Sequence, residues 1–358
     1  MSDIIFPFQR KVSLVDKFNF YEYLSVMLDG GVTISETLDS VQTKIQNRFF
    51  KEKIKELQTY VSSGDSFSKS MKKIPQIFSS SEISIIESGE TTGKLSLSLS
   101  HLSENLRKSY DLRAKIKSAL TYPAIIFLFL LLAIIIVLTY VIPSISQLFI
   151  TSEVTLPVAT QALIATSNFI IFQWPYLILF ISTILILFYG YKNTERGRAT
   201  IDLFLLGLPL VGKVYQNYIL SALSTNLGSL ISSWVPVVKS LTLASRSLNN
   251  MVYETHLQEV TTKVSQGQKI VDSLQEVDPE HRLFPLPFLQ MLSVGEKTAS
   301  LDSVTLKLTE QYTREVNYSL GNLTKWIEPL AILIAGIFVL WFAFAIFGAI
   351  LKVTQTVS

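Results

Sequence analysis

The chain contains no cysteine, which excludes disulfides, thiolate metal sites and a cysteine nucleophile. Its histidines, His101, His256 and His281, stand alone, with no second histidine or carboxylate at a spacing that makes a recognisable metal motif. There is no serine nucleophile elbow, no dinucleotide-binding glycine pattern and no HExxH zinc motif. A strong charge of either sign is also missing. The net charge is +3, and basic and acidic groups nearly balance in each polar region, which argues against direct nucleic-acid binding. The first apolar patch, Ile4 to Phe8, is short and holds Pro7, so no cleavable signal peptide is expected.

What is present is hydrophobic length. The hydrophobic fraction of 49% is concentrated in three stretches free of charge: Pro123 to Ile142, Phe169 to Tyr191 and Pro329 to Leu351. Each reaches the roughly 20 residues that a helix needs to cross about 30 Å of hydrocarbon. Three transmembrane helices are therefore expected. Arg107, Lys108, Arg113, Lys115 and Lys117 precede the first, and Lys192, Arg196 and Arg198 follow the second. Between them, Pro143 to Asn168 has no lysine or arginine, so the positive-inside rule places both large polar regions and the N-terminus in the cytoplasm. No ionisable residue lies inside a span, which weighs against a pump or channel, although a small membrane transporter remains the competing class.

The sequence also repeats itself. Gly89-Glu90-Thr91-Thr92-Gly93 followed by Tyr122-Pro123 recurs as Gly295-Glu296-Lys297-Thr298-Ala299 followed by Glu328-Pro329, at one constant offset. Upstream, Val32 and Leu38 answer to Val235 and Leu241, and Ser63-Gly64 to Gln266-Gly267, at an offset three residues smaller. A period this long implies two similar domains with one short insertion. Apolar residues in both recur at helical spacing, as in Phe20, Leu24, Met27 and Leu28 or Leu220, Leu223, Leu227, Leu230 and Ile231. Thr33 with Glu36 and Ser79 with Glu82 have capping-box spacing. The fold class is thus an all-α membrane protein with two homologous cytoplasmic helical bundles and three transmembrane helices. Its expected segments are a leader (1–14), first bundle (15–121), first span (122–142), external loop (143–168), second span (169–191), linker and second bundle (192–327), third span (328–351) and external tail (352–358). The apolar run Leu203 to Val211, broken by Gly207 and Pro209, reads as an amphipathic linker on the inner membrane surface or on the second bundle.

Two sets of residues invite a functional reading. Gly89-Glu90-Thr91-Thr92-Gly93-Lys94 has the wrong glycine spacing for a phosphate loop and lacks a hydroxyl after the lysine, so it reads as a helix-to-helix turn. Gly89 and Gly295 would let chains approach there, and Glu90 or Glu296 would accept N–H bonds at the start of the following helix. In the first copy Gly30-Gly31 forms an earlier turn, whereas the second has Ser232-Ser233-Trp234, so the turn chemistry differs. Tyr122-Pro123 and Glu328-Pro329 stand at the mouths of two spans, with the prolines expected in the first helical turn and Glu328 near enough to pair with Lys325. They are also hinge candidates.

Taken in order, Met27-Leu28-Asp29-Gly30-Gly31-Val32, Ser62-Ser63-Gly64-Asp65-Ser66-Phe67, Glu87 to Leu95 and Lys115 to Pro123 resemble the inner-membrane platform proteins of type II secretion and type IV pilus machines, the GspF/PilC family. Gly197-Arg198 with Leu208-Pro209-Leu210-Val211-Gly212 is similar to that family's linker. The resemblance runs from about Val15 to Ile350, with departures at Trp234, where a small turn residue is usual, and at Ala299, where glycine is usual. It implies a platform without catalytic residues, cofactor or metal, multi-pass in the cytoplasmic membrane. Its partners would be a secretion or pilus assembly ATPase, pilin or pseudopilin subunits, other inner-membrane assembly proteins, membrane lipid and further copies of itself. By position, Gly89, Glu90, Gly93, Gly295 and Glu296 fall on the family's turn motifs, and Tyr122 and Pro123 on its span entrance. The platform of a DNA-uptake pseudopilus or other type IV-like filament is the neighbouring alternative.

Overall fold

The computed structural model describes residues 12–150, 157–209 and 211–357, and all regular structure among them is helical. The expected leader therefore lies mostly outside the described residues. The chain divides into two compact units, one formed by 1–115 and 202–317 and the other by 116–201 and 318–358.

The first unit holds both repeats. The first copy comprises α1 (Leu14–Asp29), α2 (Ile34–Gln42), α3 (Arg48–Ser62), α4 (Phe67–Lys72), α5 (Ser80–Thr91) and the start of α6 (Leu95–Ile136). After α7 (Ile142–Ile150), α8 (Val158–Lys192) and α9 (Glu195–Gly207), the second copy follows as α10 (Val211–Ser232), α11 (Val237–Ser247), α12 (Met251–Ser265), α13 (Ile270–Val277), α14 (Leu286–Lys297) and the start of α15 (Leu301–Val357). The two offsets meet between α4 and α5 on one side and between α13 and α14 on the other, which locates the insertion in the connection of residues 278–285. There Asp278 accepts N–H bonds from Arg282, Leu283 and Phe284 at 3.0, 2.8 and 2.8 Å, so one carboxylate satisfies three backbone donors of the longer turn.

Helix starts follow local chemistry. Thr33 with Glu36 and Ser79 with Glu82 form reciprocal capping boxes, as do Ser13 and Asp16. Asn47 and Asn250 occupy equivalent N-caps and accept from the third helical N–H at 3.0 and 2.9 Å. Phe20, Leu24, Leu220, Leu223, Leu227 and Leu230 are buried in one hydrophobic cluster shared by both copies. The linker helix α9 carries exposed Leu203 and Phe204, while Leu206 packs on this cluster. Asp202 accepts from the Met251 N–H at 2.8 Å and the Tyr215 hydroxyl at 3.1 Å, tying the end of α9 to the second copy.

The second unit holds the membrane segments. Three helices are long and apolar enough to cross a bilayer: Leu95–Ser146, Val158–Lys192 and Leu301–Lys352. They run beyond the expected spans. Much of the stretch expected as a loop is helical, since α7 continues to Ile150 and α8 already begins at Val158, and the expected tail is the end of α15. Both extensions contain few helix breakers, so nothing local ends the helix where hydropathy falls.

Within this unit a π-helical turn, Val137–Val141, precedes Pro143. The Ile142 N–H bonds the Val137 carbonyl, five residues back; in that register the next donor would serve Leu138, but Pro143 has none. The Ser167 hydroxyl of α8 donates to the Leu138 carbonyl instead. A second hydroxyl, Thr160, donates to the Ala345 carbonyl of α15. Leu138, Ile142, Leu163 and Ala345 form the small buried cluster around these contacts.

Candidate functional site

The repeated turn motif is built around a carboxylate that reaches backwards. Glu90, near the end of α5, accepts from the Phe67 and Ser68 N–H groups at 2.6 and 3.1 Å and from the Ser68 hydroxyl. Glu296 accepts from the Ile270 N–H at 2.5 Å and the Val271 N–H at 3.4 Å. These donors open α4 and α13, the helices before the motif. The expectation that each glutamate serves the following helix is corrected. The first N–H groups of a helix lack internal partners and carry the positive end of its dipole, so a carboxylate from a neighbouring helix is favoured there. For so short a helix as α4, this external cap is a large share of what holds it.

The glycine before each glutamate allows close approach. A Cβ on Gly89 would come within 2.7 Å of the Ser98 Cβ on α6, and one on Gly295 within 3.0 Å of the Val304 Cβ on α15. At the far end of the turn Gly93 has φ +68°, and its counterpart Ala299 has φ +52°. The backbone pattern is the same: the Lys94 N–H bonds the Gly89 carbonyl at 2.8 Å and the Ser300 N–H the Gly295 carbonyl at 2.9 Å.

The earlier turn is also kept in shape despite its changed residues. Gly31 has φ +81° and Trp234 φ +62°. The Val32 N–H bonds the Met27 carbonyl at 3.1 Å, and the Val235 N–H the Leu230 carbonyl at 3.0 Å. Different chemistry thus closes the same helix end, with an aromatic residue held in the left-handed region that its side chain disfavours. Trp234 is 64% exposed, and the Lys94 ammonium of the first copy lies 4.7 Å from its ring centroid. Glu87 joins the copies at a second point, with Lys72 at 2.8 Å and Lys239 of the second copy at 3.6 Å. The Lys72 hydrogen bond, with Lys239 adding to it, holds the Glu87 carboxyl below its usual range.

One constellation is not visible in any local motif. Lys17 on α1 meets Glu82 on α5 at 2.8 Å, with side chains 13% and 6% exposed. Glu82 also closes the α5 capping box through the Ser79 N–H at 2.8 Å. Burial, and then the nearby Glu82 carboxylate, push the Tyr21 phenol well above its usual value. The equivalent positions in the second copy are Leu220 and Phe288, both buried.

The span-entrance residues occupy helix interiors. Pro123 lies inside α6 and Pro329 inside α15, which corrects the expectation that each sits in a first helical turn. Each proline therefore removes one bond from a continuous ladder, to the carbonyl of Ala119 or Lys325. Tyr122, Glu328 and Pro329 are exposed and Pro123 is buried. Among the described residues Glu328 makes no ion pair with Lys325. No group of three or more histidines and carboxylates among the described residues is placed to hold a metal ion.

The profile of the family described as type II secretion system (T2SS), protein F, matches residues 20–143 and 223–349, one segment in each repeat. The chain is 32% identical to the type IV pilus assembly protein PilC of Thermus thermophilus, over 98% of this chain and 85% of that protein. It is 27% identical to the PilC of Pseudomonas aeruginosa, over 92% of this chain and 87% of the relative. It is 26% identical to the type II secretion system protein F of Aeromonas hydrophila, over 98% and 89%.

Proposed function

The chain belongs to the type II secretion system protein F family, and from this premise we propose that it is the inner-membrane platform of a type IV pilus or type II secretion machine. In this role it couples a cytoplasmic assembly ATPase to the polymerisation of pilin or pseudopilin subunits. One observation carries the reading: in each repeat, the helix after the capped turn continues without a break into an apolar stretch long enough to span the membrane. A push received by either bundle then has a continuous helical route to the bilayer and needs no catalytic group.

The basic flanks of the first two spans favour a cytoplasmic location for the N-terminus and both bundles. Gly89, Gly93 and Gly295 shape the turn into each long helix, and Glu90 and Glu296 brace the bundle behind it by capping α4 and α13. Tyr122, Pro123, Glu328 and Pro329 mark the hinge of each long helix, where a missing backbone bond lowers the cost of bending. The chain acts as an oligomer beside other inner-membrane assembly proteins and lipid.

The test is purification of the tagged full-length protein from its own membranes in mild detergent, with mass spectrometry of what accompanies it. Recovery of a secretion-type ATPase together with pilin-like subunits is expected. Recovery of solute-binding or metabolic partners, with neither of those, would overturn the platform reading.

A further inference from the structure

The two repeats face one another across a cleft of about 840 Å³, within the range of small-molecule sites. One wall is α6, the other α10 and α15, and the end of α11 closes one side. Five cations line it, Lys108, Arg113, Lys115, Arg246 and Arg314, and the last four have no ion-pair partner among the described residues. The acids on the same walls that lack a lysine or arginine partner are Asp111 and Glu310, so positive charge is in excess. Glu82 is already neutralised by Lys17, and Lys108 by Glu104 at 2.7 Å.

A second observation is independent of charge. Ser229 lines the cleft, is 8% exposed, and its buried Oγ has no hydrogen-bond partner. Buried hydroxyls are nearly always satisfied, and rotation of this short side chain about its one side-chain torsion would present the unpaired oxygen to a ligand in the cleft. Around it the walls carry further hydroxyls, Ser221, Thr225 and Thr313, and the phenol rings of Tyr215 and Tyr218.

Lys108 and Arg314 are equivalent residues and both line the cleft. Ser229 and Arg246 correspond to Val26 and Thr43 of the first copy, so divergence has placed a hydroxyl and a cation where the other copy has neither. Forked guanidinium donors, one unpartnered hydroxyl and flanking phenol rings suit phosphate oxygens attached to a body of modest size.

We propose that this cleft binds a phosphate-bearing anion of nucleotide size, with Arg246 and Arg314 on its phosphates and the Ser229 hydroxyl on one of its oxygens. The proposal concerns ligand binding between the repeats and does not depend on the assembly role. Purified full-length protein in detergent is titrated calorimetrically with inorganic pyrophosphate, ATP and GTP, and its retention of phosphatidylglycerol is read by native mass spectrometry. At least one probe should bind saturably. The double variant R246Q/R314Q should weaken it about tenfold or more, and Ser229→Val, which installs the first copy's residue, should also weaken it. Lys69→Gln, a basic residue outside the cleft, should leave binding unchanged. Binding of a soluble probe identifies a free phosphate ligand, and specific retention of phosphatidylglycerol alone identifies a lipid headgroup. Absence of saturable binding, equal binding by R246Q/R314Q, insensitivity to Ser229→Val, or sensitivity to Lys69→Gln would each overturn the proposal. Unchanged circular dichroism and melting of each variant separates lost binding from lost folding.

Discussion

The first repeat buries an ion pair where the second buries two hydrocarbons. Lys17 and Glu82 lock α1 to α5; Leu220 and Phe288 stand at the same positions between α10 and α14. Around them three backbone devices are unchanged: a left-handed residue after the first helix of each copy, a glutamate reaching back to cap the fourth, and an asparagine capping the third. The two copies thus separate what the fold requires from what merely fills it. Helix ends and these three devices are held, while the Thr33 and Ser79 caps give way to Pro236 and Pro285 and a buried pair can be salt or oil as long as its volume and partners match.

Removing one member of the buried pair should break this equivalence most severely. Lys17→Met leaves Glu82 buried with its main partner gone and should cost about 3–5 kcal/mol, read as a fall in the urea-unfolding midpoint of the full-length protein in detergent. The double variant K17L/E82F, which copies the second repeat, should recover most of that loss. If the single and double variants are equally destabilised, the positions are not interchangeable.

The capping glutamates come next. Glu90→Ala removes the acceptor of two N–H bonds and a hydroxyl, and should cost about 1–3 kcal/mol. Glu296→Ala should cost less, because Val271 replaces Ser68 and its N–H contact is longer at 3.4 Å. Unchanged stability with lost filament assembly in the Glu90 variant would instead make the residue a partner contact.

The left-handed turn offers a smaller, two-way test. Gly93→Ala should destabilise by about 1–2 kcal/mol, and Ala299→Gly should stabilise by up to about 1 kcal/mol, since φ is positive at both. Equal effects of the same sign would mean that the two turns are not under the same strain.

The smallest effect is electrostatic. Because Lys72 and Lys239 lower the Glu87 pKa, their contribution is complete above the ordinary value of 4.5 and is lost as the pH falls through the lower folded value. The side chains are 40–50% exposed, so salt should weaken the effect, and Lys239→Gln should reduce its acid sensitivity only slightly.

Much of this was legible in the residues themselves. The duplication, the three apolar stretches and the Thr33 and Ser79 capping boxes rest on local spacing, and helices obey local rules. The reach of Glu90 to Phe67 was not, because a carboxylate finds the nearest unsatisfied donors in space, and those belonged to a helix packed from further back along the chain. Trp234 disguised a preserved turn for a related reason: residue type biases a left-handed position, but closure of α10 against its neighbours decides it. The Lys17–Glu82 pair gives no local signal at all, its members being far apart in sequence. Helix ends in the membrane segments were misplaced because hydropathy marks where lipid begins, and a helix stops only where its hydrogen bonds do.

The bond from Ser167 to the Leu138 carbonyl also bears on how the protein is made. A first span released alone into lipid would carry a peptide oxygen that Pro143 has left without a backbone donor, and hydrocarbon offers none. The hydroxyl that answers it arrives only with the next segment to leave the ribosome. Biogenesis is thereby biased toward laying down the first two spans together as a hairpin, with the π-helical turn before the proline acting as a latch that closes when the second arm enters.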